Sequence, residues 1–230
     1  MQPDYRLSAV NGAVLTGTQH RVLRNTYWLL ALSLVPTTLG ALLGFNLNFG
    51  ILRSNPILAT FGILAVFYGW IYAIERNRES GLGVALLLGF TFFMGVILGP
   101  LLQVALKLSN GSQLVMLAAG GTAATFFGLA TVATTTKRDF SFLGNFLMVG
   151  VIVVMLAVLA NIFLASPLLH LVVCGAFVLL SSALILFHLN ALVHGGETNY
   201  ISATLSIYIA IYNLFSSLLQ LLMAFGGQRD

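Results

Sequence analysis

The residues able to do chemistry in this chain are few, and they sit inside long apolar runs. Ser202, Ser206, Asn213, Ser217 and Gln220 recur at steps of four, seven, four and three, which places them close to one face of a helix. Tyr208 and Tyr212 form an i, i+4 pair beside that stripe. Uncharged polar groups in an apolar medium need partners, so this face is expected to turn towards other segments of the chain. Two arrangements satisfy it: hydrogen bonds between helices, worth about 0.6 kcal/mol per contact, or the wall of a polar cavity or permeation path. His188 lies near the end of another apolar run, followed by Asn190 and His194. An ionisable group at membrane depth is a functional candidate, and histidine exchanges a proton near neutral pH. A neutral, hydrogen-bonded histidine near the membrane surface is the plainer alternative. The candidate polar core or permeation path is therefore His188, Tyr208, Asn213, Ser206, Ser217 and Gln220. His170 falls near the opposite face and is expected to be interfacial. Cys174 is the single cysteine, so no intramolecular disulfide is possible.

Several chemistries are missing from the sequence. It has no HExxH zinc motif and no Cys/His cluster. It has no GxSxG elbow, no Walker loop and no acid pair within an apolar run. The last run holds no lysine for a retinal Schiff base. The expectation is a protein that is not an enzyme, with no catalytic residue, no cofactor and no metal site.

The elements that position these groups follow from composition. Of 230 residues, 59% are apolar and 7% charged, and the mean hydropathy is +0.99. Soluble domains are roughly 45–50% apolar and about 25% charged. This chain cannot coat a soluble globule with charge, which excludes a soluble enzyme, a nucleic-acid binder and a disordered protein. Its partner is a lipid bilayer. A hydrocarbon core about 30 Å thick needs about 20 helical residues to cross it. Charged residues divide the chain into seven runs of that size: 27–45, 57–74, 82–103, 113–134, 142–163, 168–193 and 202–225. Continuous apolarity without alternation argues for helices over a β-barrel. The organisation expected is a polar tail over 1–26 without a strong helical pattern, a seven-helix bundle over 27–225 and a short C-terminal tail over 226–230. The first 26 residues lack the apolar stretch of a cleavable signal peptide.

Orientation follows from the cations. Arg6, Arg21, Arg24, Arg76, Arg78, Lys137 and Arg138 fall on one side, and Arg53, Lys107 and Arg229 on the other. The positive-inside bias puts the N-terminus in the cytoplasm and the C-terminus across the membrane. Tyr27, Trp28, Trp70, Tyr72 and Tyr200 lie near span ends, where interfacial aromatics are expected. Gly40 and Gly44 make a GxxxG pair, as do Gly95 and Gly99, and Gly120 and Gly121 sit in a small-residue patch. Packing within the bundle is the main reading and dimerisation the lesser one. Pro100 is expected to kink or end the third span. Gly195 and Gly196 mark a turn, Asn199 or Thr198 is placed to cap the last helix, and Glu197 is available to pair with Lys137 or Arg138.

Five segments carry a resemblance: HRVLRNTY at 20–27, TTTKRDFSFLG at 134–144, VLANIF at 158–163, HGGETNYI at 194–201 and YIAIYNLF at 208–215. Together they are spread over nearly the whole chain. They resemble the Bax inhibitor-1 (transmembrane BAX-inhibitor-motif) family, in particular its proteobacterial inner-membrane branch. The resemblance implies a seven-helix bundle whose last helix is surrounded by the other six. It implies, for that branch, binding and modulation of the membrane-bound AAA protease FtsH, through the membrane helices and a cytoplasmic tail. Other members are pH-sensitive calcium leaks that use an aspartate pair, whose positions match His188 and Ala210 here. Neither is an acid. Calcium prefers several oxygen ligands, usually with carboxylates among them, so calcium leak by the family's route is not expected. Two readings of function stay open: an FtsH modulator, or a cation or proton leak channel or transporter.

Overall fold

A backbone amide in lipid has no water to bond, so each apolar run closes its hydrogen bonds internally. The computed structural model describes residues 4–50, 56–136, 140 and 143–228. Among them run seven helices: α1 (Asp4–Asn46), α2 (Pro56–Arg76), α3 (Gly81–Ala105), α4 (Gly111–Thr135), α5 (Leu143–Leu164), α6 (Pro167–Val193) and α7 (Tyr200–Gly226). Each contains a segment long and apolar enough to cross a bilayer. The chain is an all-α, seven-helix membrane protein. Odd-numbered helices run from one side of the bundle, where α1 begins (the N-side), to the side where α7 ends (the C-side).

Six of the seven spans start and stop within two residues of the positions expected from sequence. The first does not. Its apolar span begins at Gln19, and the helix itself extends back to Asp4, where a tail without helical pattern was expected. Extending a helix that is already nucleated costs little per residue, and no proline interrupts it before Pro36. Pro100 likewise does not end α3, which continues to Ala105.

Helix α7 is the central element. It packs against α1, α2, α3, α4 and α6, whereas α5 packs on α6 at the edge of the bundle. Five helices pack closely on α7, and α5 is the one that stands off it, across a shared cavity. Residues 201–205 of α7 are all buried, and Ile207, Tyr208, Ala210 and Leu214 continue that face. Around it close Ile74, Leu87, Phe90, Ile185 and Leu189. Helix α5 instead turns Phe146, Val149, Ile152, Val153 and Leu156 outward, as a lipid-facing helix does.

The most extensive helix pair is α1 with α3, and the two GxxxG motifs create it. A Cβ built on Gly40 would fall on the Phe92 carbonyl, one on Gly95 on the Thr37 carbonyl, and one on Gly99 on the backbone of Gly44. Backbone meets backbone, which only glycine permits. Both motifs are thus consumed inside the bundle and are not available for dimerisation. Gln103 closes the C-side end of this pair: its Nε2 lies 2.7 Å from the Phe45 carbonyl and 2.9 Å from that of Leu47, where the end of α1 leaves carbonyls without helical partners. Trp70 is not an interfacial anchor. Its indole N–H donates to the Leu86 carbonyl at 2.9 Å and its ring stacks on Phe93 at 5.4 Å, so it ties α2 to α3.

Candidate functional site

The polar groups fall into three levels along α7. At the N-side, Asn199 caps the helix, its Oδ1 accepting from the amides of Ile201 at 2.9 Å and Ser202 at 3.2 Å. Its Nδ2 donates to the Arg78 carbonyl at 3.0 Å, joining the α6–α7 connection to the end of α2. Ser202 donates to Glu75 Oε2 at 2.9 Å. Glu75 also faces Arg78 at 3.5 Å, an exposed pair of the kind that contributes little. Glu197 turns inward on its own loop, accepting from the amides of Thr198 and Asn199 at 2.9 and 2.8 Å. Its expected partners Lys137 and Arg138 lie outside the described residues. Gly195 takes the turn with φ +77°, a backbone conformation that strains any residue with a side chain, and the Gln19 side chain of α1 lies over it.

Asn190 is buried at this level too, 1% exposed. Its Oδ1 accepts the Phe140 amide at 3.0 Å, and its carbonyl lies 3.0 Å from Nδ1 of His194. One side chain therefore connects the α4–α5 connection to the end of α6. His188, two residues earlier and so about half a turn round α6, is half-buried and meets Phe187 edge-on at 5.3 Å between centroids.

At mid-depth the hydroxyl of Tyr208 lies 2.8 Å from Thr37 Oγ1 and donates to the Thr91 carbonyl at 3.3 Å. It joins α7 to α1 and α3 in one contact. Two such bonds at about 0.6 kcal/mol each predict that Tyr208→Phe lowers stability by about 1 kcal/mol, as measured by denaturant titration in micelles. Ala210, a position of the family acid pair, is 1% exposed and apolar. Ser206 is half-buried with no hydrogen bond among the described residues.

At the C-side the stripe opens onto a cavity of about 340 Å³ between α5, α6 and α7, lined by Asn213, Ser217 and Gln220 with Asn161, His170 and Cys174. The six candidates are thus not one site. Tyr208 is joined to neighbouring helices, as is Ser202 of the same stripe, while Asn213, Ser217 and Gln220 face the cavity; His188 and Ser206 are not among its lining residues. Sequence reasoning missed Glu75, Asn190 and Thr37 as the partners that hold the bundle; His170, exposed one turn into α6, also lines the C-side cavity. The signal for Asn190 was its amide within an apolar run, four residues before His194.

The model of the family described as inhibitor of apoptosis-promoting Bax1 matches residues 19–227. The chain belongs to the Bax inhibitor-1 family. Within the Bax inhibitor-1 family it is similar to the Escherichia coli protein named modulator of FtsH protease YccA, at 42% identity over 88% of this chain and 90% of that one. An uncharacterized protein of Neisseria meningitidis is 42% identical over 93% and 95%. A Vibrio cholerae membrane protein is 39% identical over 88% and 89%. Among the described residues of this Bax inhibitor-1 chain, no three His, Cys, Asp or Glu side chains gather where they could share a metal ion.

Proposed function

We propose that this protein is a non-enzymatic, multi-pass protein of the bacterial inner membrane that binds an FtsH-type AAA protease and restrains its turnover of membrane proteins. The observation that carries this reading is the near full-length match to the Escherichia coli protein named for FtsH modulation; the counterpart from a second Escherichia coli strain, matched equally well, is named an inner membrane protein. In this reading the N-terminus lies in the cytoplasm with the more cationic loops, and the C-terminus in the periplasm. Residues 4–18 continue α1 beyond its apolar span. A helical extension of that length is marginal in water on its own, so it offers a protease an end that unwinds. The bundle behind it is costly to extract, because seven apolar spans must leave lipid.

The test is copurification of FtsH with the full-length chain and with a chain lacking residues 1–18, alongside the decay of a membrane substrate in the same cells. Full-length protein is expected to capture FtsH and slow decay, with both effects reduced by the deletion. Full-length protein that neither captures FtsH nor alters decay would reject the reading.

The second reading, a cation or proton leak, is supported by the cavity into which Asn213, Ser217 and Gln220 open. Flux from liposomes between pH 5 and pH 8, with and without Asn213→Leu in the cavity wall, separates the two. A flux that falls on substitution supports a leak, and no flux at any pH removes it.

A further inference from the structure

At its N-side end, α1 presents hydrogen-bond donors that nothing in the bundle uses. Arg24, Asn25, Trp28, Leu29 and Leu32 follow one another at steps of one, three, one and three, so they share one face of the helix. That face borders a groove of about 630 Å³, with Val84 of α3 and Tyr200 of α7 on its other side. Tyr200 is the first residue of α7 and Val84 the fourth of α3. Arg24 falls within two turns of the start of the apolar span at Gln19. The mouth of the groove therefore lies at the N-side membrane surface, and Leu32 lies about 12 Å deeper along the helix axis.

The polar side chains at the mouth are unspent. Among the described residues, Arg24 is in no ion pair, and the side chains of Arg24, Asn25, Trp28 and Tyr200 make no hydrogen bond. Trp28 is 73% exposed, whereas the indole of Trp70 is committed to the Leu86 carbonyl. Guanidinium and indole N–H groups only donate, so the mouth calls for an acceptor. No Asp or Glu lines the groove. A smaller pocket shares Arg24 with it and adds Arg21 and His20, again without an acid. The deeper lining, Leu29, Leu32 and Val84, is apolar. Cationic donors above an apolar trough match the two ends of a phospholipid. A guanidinium pairs bidentately with phosphate, and basic pockets between spans take anionic lipid heads. The groove lacks a carboxylate to meet the ammonium of a zwitterionic head.

We infer that this groove binds one phospholipid with an anionic headgroup from the N-side leaflet. Its phosphate pairs with Arg24, and one acyl chain lies along Trp28, Leu29 and Leu32. The site is independent of any contact with a protease and of the C-side cavity.

The test uses the full-length protein reconstituted in vesicles. Trp28 and Trp70 are its two tryptophans, so in a Trp70→Phe background the emission is that of Trp28 alone. Quenching by brominated phosphatidylglycerol is compared with quenching by brominated phosphatidylcholine in mixed vesicles. Phosphatidylglycerol should be preferred at Trp28 about fivefold, the equivalent of about 1 kcal/mol for one cation near an anionic surface. Arg24→Gln should abolish the preference. Arg76→Gln, an exposed cation at the same side outside the groove, should leave it intact. Native mass spectrometry of the parent chain with the same two lipids is the second readout and decides the matter where the Trp70→Phe background does not fold: phosphatidylglycerol adducts should dominate and should fall with Arg24→Gln. No preference between the lipids in the parent chain overturns the proposal, by showing ordinary surrounding lipid. A preference that survives Arg24→Gln overturns it by placing the headgroup elsewhere, and one that Arg76→Gln removes equally overturns it by tracing it to general surface charge. Inorganic phosphate added to the buffer should change nothing; a preference that it abolishes would assign the site to a free anion and reject a lipid.

Discussion

Gly99→Leu is expected to abolish most of the folded protein. The glycine lies against the backbone of Gly44 with no space for even a Cβ, so a leucine must push α1 away from α3 along their shared length. Overpacking a core costs typically about 1–3 kcal/mol when side chains can yield; here the obstacle is backbone, and the cost should exceed 3 kcal/mol. The α1–α3 pair is also the most extensive in the bundle, so separating it exposes Tyr208 and its bonds to Thr37 and Thr91. Size-exclusion profiles and denaturant midpoints in micelles measure the effect. Gly120→Leu and Gly128→Leu are the matched controls. Nothing lies within 4 Å of a Cβ at either position, and both should behave as the parent protein does.

The second large effect is expected at Asn190. Removing the side chain with Asn190→Ala takes away the acceptor of the Phe140 amide and leaves that amide without the bond that anchors it to α6. Loss of one partner in a buried bond costs about 1–3 kcal/mol. The loss should be local as well as global. Exchange of the Phe140 amide, followed by mass spectrometry of the α4–α5 connection, should accelerate by more than the whole-protein average. An equal acceleration throughout the bundle would show that Asn190 contributes only general stability. The residue joins two of the segments that carry the family resemblance, 134–144 and 194–201, through its side chain and through its carbonyl near His194.

The spans were legible because charge is costly in hydrocarbon. Arginine, lysine and acids stay out of the middle of the spans and gather at most connections, while the uncharged link before Pro167 is marked by its proline; both ends of six spans fall within two residues of expectation. The start of α1 was not legible, because the chain before Tyr27 is polar and a helix can continue into water without any apolar signal. The GxxxG motifs announced a close helix contact but not its partner, since a sequence does not say whether a small face meets its own chain or another. Only the placement of α1 beside α3 decides that. The polar stripe of α7 was correctly expected to face inward, yet its division was hidden. Ser202 and Tyr208 reach Glu75 and Thr37, 127 and 171 residues away in the chain, and no periodicity reports such distances. His170 lies near a span end and is exposed there, and what its position in the sequence did not report is that it also lines a cavity shared with the last turns of α5 and with Gln220 on α7.

The most direct measurement is the rate at which an FtsH-type protease degrades a membrane-protein substrate in liposomes that also contain this chain. The inserted seven-helix protein should lower that rate as its ratio to protease rises, while the chain itself is degraded slowly. A substrate half-life that stays constant across that ratio, with insertion verified in the same vesicles, would contradict the account.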